Sequence, residues 1–565
     1  MQDLGWRELG GQGKRRRPIL GAVAVALTAV VVAAGIAAYL VLRTSGSPQQ
    51  TAASYLAAWQ HGNYRAMGEV SVGVPKGGLK APLQRAATDL GLRRLRLTLG
   101  QVTGSGSSTV AHYTAYAELA AGHTWTYRGQ LQLVDRSRHW RVAWSPAAIY
   151  PRLRAGERFS LQAVWPARAP VLAADGTVLS SPAALAQSGS LALLTGNVAA
   201  ATAAQARQLG APYQAGDAIG QGGIEQAYQA RLAGKPALSI RITGPGGRVV
   251  TTAARFAGAP SQPVRTSIDM KVQLAASHAV ARASTSKPVG LVAVQPSTGH
   301  VLAVVERPGG FDFALAGIFP PGSTFKVVTA SALTQAGMRP GSAVQCPATI
   351  DIGGRRFHNF DNETLGATTL QTAFAVSCNT TFASLATQRL TGSSLATAAR
   401  AYGFNASPAL GIPATLGHFR KPTDPVSLAA DAFGQGTDLV NPLSEATMAG
   451  AVDSGTWQPP QLVTDPAPAQ TAHPHRLSPA ILAALRPMMQ AVVTNPRGTA
   501  AHVGFPPGVH GKTGTAEYGS GANPPSHAWF TGYRGDLAFA VLVQGGGVGA
   551  DASGPIANAF IRGAS

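Results

Sequence analysis

The sequence predicts a multidomain α+β protein carried behind a single N-terminal transmembrane helix. Three observations lead there. Residues 18–42 form one uncharged apolar stretch. A helical pattern over 52–67 is followed by four alternating apolar runs, so helices and strands are segregated in sequence and do not alternate. Further on, two β-like runs lead into an apolar helix that begins on Ser323-Thr324-Phe325-Lys326. At 565 residues the chain is long enough for several domains, each with its own core.

The N-terminal tail, residues 1–17, ends in Lys14-Arg15-Arg16-Arg17. The stretch 18–42 exceeds the ~20 residues needed to cross a bilayer, whereas the apolar region of a cleavable signal is shorter. Thr44-Ser45-Gly46 leaves cleavage as an alternative. The basic cluster before the span, against Arg43 alone after it, places the N-terminus in the cytoplasm and the body outside. A composition of 45% hydrophobic and 13% charged residues suits a folded domain and excludes a disordered chain. The net charge of +21 raises nucleic acid as a partner. However, the basic residues are scattered and no helix-turn-helix, zinc finger or aromatic-basic platform is visible, so an anionic membrane surface and cell-wall polymers are the expected counter-charges. Cys346 and Cys378 are too few for a disulfide framework. Both are read as small buried side chains, with one bridge as the alternative. The 13 histidines show no metal-ligand spacing, so no metal is expected.

After a linker at Ser45-Gly46-Ser47-Pro48, the helix over 52–67 carries Tyr55, Leu56, Trp59 and Tyr64 on one side and is interrupted at His61-Gly62-Asn63. Strands are expected over 95–102, 110–119, 125–134 and 140–144, giving a small α+β domain over 48–153. Residues 154–262 are less regular and form a second segment. From 263 onward Ile268-Asp269 opens an amphipathic helix. The runs 290–294 and 299–304 then read as a hairpin ahead of the Ser323 helix.

Pro320 and Pro321 stop any earlier helix, Gly322 supplies the turn, and Val327, Val328, Ala330 and Leu333 recur at helical spacing. Positions i and i+3 share a face, so the Lys326 amine can reach the Ser323 hydroxyl. A lysine whose pKa is lowered by burial or a second cation can be the base that activates a serine. Taken alone the motif is weak, because Ser284-Thr285-Ser286-Lys287 matches it with no helix behind. Two more motifs follow in order: Ser377-Cys378-Asn379, between an apolar run and a helical pattern, and Lys512-Thr513-Gly514-Thr515, ahead of a strand-like stretch at Trp529-Phe530-Thr531-Gly532-Tyr533.

The ordered set Ser-x-x-Lys, Ser-x-Asn, Lys-Thr-Gly resembles the active-serine penicillin-recognising enzymes. Phe433-Gly434-Gln435-Gly436, Asn441-Pro442-Leu443 and Arg497-Gly498-Thr499-Ala500 resemble their transpeptidase domain as well. Trp140-Arg141-Val142-Ala143-Trp144-Ser145 with Ile149-Tyr150-Pro151-Arg152-Leu153 resembles the end of the NTF2-like (MecA-type) domain of some penicillin-binding proteins, the low-affinity resistance type among them. Arg168-Ala169-Pro170-Val171-Leu172 and Asp175-Gly176-Thr177-Val178-Leu179 resemble, in altered form, the dimerisation or pedestal domain, and Gly220-Gln221-Gly222-Gly223-Ile224-Glu225 resembles that domain's Gly-Leu-Glu segment more closely.

The resemblance implies an NTF2-like domain over 48–153, a pedestal over 154–262 and a transpeptidase domain over 263–565 with an antiparallel sheet sandwiched by helices. It implies a class B, monofunctional D,D-transpeptidase, since no glycosyltransferase module is visible. Ser323 would be the nucleophile and Lys326 its base. Ser377 would relay a proton, Asn379 would hold Lys326, and Lys512 would lower the Lys326 pKa and attract the substrate carboxylate. Thr513, Gly514 and Thr515 would bind substrate. No cofactor is implied. The implied partners are stem peptides ending in D-alanyl-D-alanine, β-lactams, the plasma membrane and other cell-wall synthesis or division proteins. A D,D-carboxypeptidase or β-lactamase using the same serine, and a catalytically idle scaffold, are the alternatives. The strings at Glu363 and Glu517 do not match the water-activating glutamate of a β-lactamase, and every catalytic group that a scaffold would have lost is present.

Overall fold

The computed structural model describes residues 46–105, 109–308, 314–519 and 524–564, which fall into two compact units. The expected tail and membrane span, residues 1–17 and 18–42, lie outside them. Among the described residues no helix is long and apolar enough to cross a membrane.

The first unit comprises the described residues up to Val164 together with Leu209–Tyr213 and Ala237–Ala257. Its first helix, Pro48–Gln60, starts earlier than expected. Ser47 caps it, accepting from the Gln50 amide at 3.1 Å while Gln50 accepts from the Ser47 amide at 3.2 Å, and Pro48 takes the first helical position. Part of the expected linker is therefore helix cap. The interruption at 61–63 is real, and a short helix Tyr64–Glu69 follows.

The four expected strands form an antiparallel meander, Leu92–Thr103, Thr109–Leu119, Thr124–Arg136 and His139–Ala143, extended by Ser71–Val72 pairing parallel to the last. Tyr55, Leu56 and Trp59 bury their side chains with Tyr113, Ala115, Leu131 and Leu133. Gly129 faces Tyr113 across the pair, and a Cβ there would sit 2.0 Å from the tyrosine ring, so only glycine leaves space for it. The ring's hydroxyl in turn donates to the Ala148 carbonyl at 2.7 Å. The helix Lys80–Leu90 was not expected, because its buried stripe is only Leu83, Ala86 and Leu90 with Pro82 in the first turn.

Residues 154–262, expected as one module, are divided between the units. Arg158–Val164, Ala237–Thr243 and Val249–Phe256 make a three-stranded antiparallel sheet in the first unit. The remainder belongs to the second. The reason is that strand partners are chosen by tertiary pairing, which alternation within one run does not encode.

In the second unit Arg168 lies against Glu225, Nε to Oε2 at 2.7 Å, with Glu225 only 3% exposed. The two motifs thus meet in one buried ion pair. Arg168→Ala leaves that carboxylate uncompensated and is expected to destabilise the protein by about 3–5 kcal/mol, read as a lowered urea midpoint. An unchanged midpoint would show that the pair contributes nothing.

The centre of this unit is a five-stranded antiparallel sheet in the order Val301–Arg307, Val289–Val294, Ala538–Val543, Ser526–Tyr533, His510–Glu517. The expected hairpin forms its first two strands. Val289–Val294 and Ala538–Val543 are buried at every position, so both faces are covered. Met270–Ala281 and Gly549–Ala564 pack on the sheet, as does Pro442–Ser454, whose Glu445 carbonyl accepts from Thr531 at 2.8 Å. Lys326–Gln335 packs against Pro479–Thr494, which in turn meets the edge strand His510–Glu517.

Candidate active site

Ser323 sits in a tight 3-10 turn, Gly322–Phe325, that runs straight into the helix Lys326–Gln335. Gly322 has φ +56°, and a Cβ there would lie 2.6 Å from the Thr515 carbonyl, so glycine is needed both for the turn and for the strand's close approach. The neighbours of Ser323 anchor the turn. Phe325 is fully buried and stacks on Phe419, while Thr324 donates to Glu445 Oε1 at 2.8 Å. Ser323 itself stays partly open to a cleft of about 830 Å³, lined also by Ser377, Asn379, Thr499, Thr513 and Thr515.

Lys326 is fully buried, and its Nζ lies 2.8 Å from Ser323 Oγ, 2.7 Å from the Ser377 carbonyl, 2.6 Å from Asn379 Oδ1 and 3.2 Å from Ser377 Oγ. Burial, and then the nearby Lys512, hold its pKa well below the ordinary lysine value. As a neutral amine it can donate to the Ser377 carbonyl and to Asn379 and still offer its lone pair to the Ser323 proton. Ser377 adopts φ +64°, an uncommon conformation for a side-chain-bearing residue, which turns both its carbonyl and its hydroxyl towards Lys326.

Lys512 comes from the middle of the strand His510–Glu517, and its Nζ donates to Ser377 Oγ at 2.9 Å and to the Thr513 carbonyl at 3.1 Å. Burial brings its pKa down to about 7. One hydroxyl, Ser377, therefore lies between two amines. Phe382 and Phe433 pack at 5.6 and 5.9 Å from the Lys326 nitrogen, and Phe374 at 5.6 Å from that of Lys512. Thr513 Oγ1 meets Thr499 Oγ1 at 2.7 Å, and Thr515 Oγ1 accepts from the Gly549 amide at 3.1 Å. Gly514 packs against the turn ahead of Ser323: a Cβ there would lie 2.7 Å from the Pro321 carbonyl.

The structure thus gathers the sequence-predicted Ser323, Lys326, Ser377, Asn379 and Lys512 into one hydrogen-bonded cluster, with Thr513, Gly514 and Thr515 beside it. The second Ser-x-x-Lys match behaves differently. Ser284-Thr285-Ser286-Lys287 is a loop after the helix Met270–Ala281, and Thr285 accepts the Lys287 amide at 3.1 Å. Cys346 and Cys378 correct an expectation: they are buried, as expected, but also joined in a disulfide. The strand Ala343–Cys346 reaches the turn before Asn379 only in the folded chain, a proximity the sequence spacing does not carry. Glu363 and Glu517 are exposed at the mouth of the cleft. Sequence reasoning missed the buried acids Asp431, Asp438 and Glu445 close behind the site. The available signal was charge inside otherwise apolar or glycine-rich segments.

Three family profiles match the chain. "NTF2-like N-terminal transpeptidase domain" covers residues 47–157, "Penicillin-binding Protein dimerisation domain" 185–266 and "Penicillin binding protein transpeptidase domain" 289–562. The peptidoglycan D,D-transpeptidase PbpA of Mycolicibacterium smegmatis is 31% identical over 358 residues, which span 53% of this chain and 72% of the relative. The chain belongs to the class B penicillin-binding proteins. PbpA of Mycobacterium tuberculosis is 28% identical over 362 residues, with the same shares covered.

Solved structures agree with this penicillin-binding protein in fold. Pseudomonas aeruginosa PBP2, solved with WCK 5153, superposes with a TM-score of 0.58 at 24% identity, covering 71% of this chain and 96% of that one. Helicobacter pylori PBP2, solved in complex with MreC, gives 0.60 at 17% identity, covering 72% and 98%.

Proposed function

We propose that this penicillin-binding protein cross-links peptidoglycan stem peptides through an acyl-enzyme on Ser323. The observation that carries the reading is the Lys326 amine, buried beside a second lysine and 2.8 Å from the Ser323 hydroxyl. Ser323 Oγ attacks the penultimate carbonyl of a D-alanyl-D-alanine terminus as Lys326 takes its proton. The backbone amides of Ser323 and Thr515 stabilise the resulting oxyanion, each worth on the order of 3 kcal/mol of barrier. Ser377, held by both amines, passes a proton to the departing D-alanine nitrogen. Lys512, Thr513 and Thr515 hold the terminal carboxylate. An amine from a neighbouring stem peptide then attacks the Ser323 ester, regenerating the hydroxyl and completing the cross-link.

A β-lactam enters the same first step, but its ring-opened amine stays tethered. The cleft carboxylates Glu363 and Glu517 are exposed and, among the described residues, form no hydrogen bond with the serine–lysine cluster, which supports a long-lived adduct. Residues 18–42 anchor the protein as a single span with the catalytic unit outside the cell. Residues 48–153 serve as a spacer, and the part of 154–262 that belongs to the second unit serves as a pedestal. The H. pylori structural relative, solved with MreC, supports a place among cell-wall assembly partners.

The test is intact mass of the full chain in detergent after incubation with benzylpenicillin, beside Ser323→Ala. A persistent adduct of one drug molecule, absent in Ser323→Ala, is expected. Rapid turnover of the drug would show a β-lactamase, and an adduct retained by Ser323→Ala would overturn the assignment of the nucleophile.

A further inference from the structure

The loop between the helix Pro425–Asp431 and the strand-like segment at Leu439 touches the proposed catalytic groups at several points. Gly322 donates its amide to the Gly434 carbonyl at 3.0 Å. Gln435 Nε2 donates to the Thr515 carbonyl at 3.2 Å. The Phe433 ring lies 5.9 Å from the Lys326 nitrogen, and Thr329, on the nucleophile helix, donates to the Ala432 carbonyl at 2.8 Å. Gly434 has φ +78°, and a Cβ there would fall 1.8 Å from the Gly322 carbonyl. The loop therefore seats directly on the turn that presents Ser323.

Its two ends carry Asp431 and Asp438, 1% and 0% exposed. Asp431 Oδ1 accepts from the Thr437 amide at 2.8 Å, and Gly436 leaves that oxygen space that a Cβ, at 1.7 Å, would fill. Asp431 Oδ2 and both Asp438 oxygens have no hydrogen bond of good geometry from any N–H or O–H of the described residues, although the Gly436 and Asp438 amides lie near enough to the Asp438 carboxyl to favour its charged form. The two buried carboxyls lie close enough to act directly on each other. Two ionised carboxylates offer each other no donor, so their approach is favourable only with a proton between them. The other ionisable groups acting on the pair are acidic too, Asp424 at the start of the same helix and Glu445 on the helix Pro442–Ser454. No cation among them offsets the charge, and a shared proton is what makes the burial tolerable.

We propose that Asp431 and Asp438 are positioning residues for acylation of Ser323: sharing one proton, their carboxyls clamp the ends of loop 432–437 and hold Phe433, Gly434 and Gln435 against Lys326, Gly322 and Thr515. The inference rests on the reading of Ser323 as the acylated nucleophile. Burial raises both carboxyls, Asp431 to about 6 and Asp438 well above the carboxylate range with the Asp431 charge adding to it, which favours a proton on the pair at neutral pH.

Two measurements on the full chain test it: the rate of acylation by benzylpenicillin, and amide hydrogen exchange across residues 432–437. Asp438→Ala removes one partner of the shared proton and leaves Asp431 buried and charged. Acylation is expected to slow about tenfold or more, with loop exchange faster by a similar factor. Asp438→Asn donates from its amide whatever the pH and is expected to restore both to within about threefold of wild type. A folded Asp438→Ala protein with wild-type acylation and exchange overturns the inference, as does an Asp438→Asn protein as impaired as Asp438→Ala.

Should Asp438→Ala not fold, the comparison of Asp438→Asn with wild type at alkaline pH decides. Loop protection, corrected for intrinsic exchange, is expected to fall in wild type as the shared proton is lost and to persist in Asp438→Asn, whereas identical profiles overturn the clamp. Failure of wild type to form an adduct on Ser323 would instead overturn the reading of the nucleophile, and the exchange data would still judge the clamp.

Discussion

Lys326→Met protein is expected to acylate with benzylpenicillin about 10²–10⁴-fold more slowly than wild type and yet to melt at the same temperature or a few degrees higher. The first effect follows from removing the proposed base, the amine that lies 2.8 Å from Ser323 Oγ. The second follows from the burial of that base. Burial and Lys512 depress the folded-state pKa of Lys326, while in the unfolded chain it returns to about 10.4. Between those two values the unfolded chain binds a proton that the native protein lacks, so wild-type stability rises with pH across the window. At neutral pH the buried amine therefore costs stability, and methionine, of similar length and apolar, does not carry that cost. The gain in melting temperature should be clear at pH 7 and should disappear above about pH 10.4. Calorimetry at the two pH values, beside adduct formation followed by mass, checks both halves. A methionine variant that melts well below wild type at pH 7 would show that the hydrogen bonds of Lys326 outweigh its desolvation.

Lys512→Met is expected to lower the acylation rate about 10²-fold and to shift its pH dependence. Lys512 lowers the Lys326 pKa by like-charge repulsion, so without it the Lys326 pKa rises and less of the base is neutral at pH 7. The acid limb of the pH–rate profile should move to higher pH, and part of the lost rate should return as the pH is raised. Wild type should show a second feature. With its pKa brought down to about 7, Lys512 loses charge just above neutrality, so attraction of the drug carboxylate should weaken on the alkaline side. Acylation rates measured from pH 5 to 10 for both proteins decide this. An acid limb in the same place for both would show that Lys512 does not act on Lys326.

Much of this site was legible in sequence because its parts are local. The proline pair and Gly322 stop one element and begin another, and a serine three residues ahead of a lysine needs only a helical turn to bring hydroxyl and amine together. The meander of the first unit was legible for the same reason, since each strand pairs with its neighbour in sequence. The helix Lys80–Leu90 was not, because three buried residues make too narrow a stripe to stand out.

By itself, then, the sequence determined the order of the domains, the two-residue periodicity of the strands and the serine, lysine and asparagine motifs that the fold gathers into one cluster. Only the tertiary structure decided that Ser377 lies between two buried amines, that Cys346 bonds to Cys378, and that 237–256 pairs with 158–164. It alone decided that the carboxyls of Asp431 and Asp438 are buried close enough to act on each other. The physical reason is common to all four. Each depends on contacts that no local periodicity specifies, and the low dielectric that lowers the Lys326 pKa and raises those of the two carboxyls exists only once many distant side chains have closed around them.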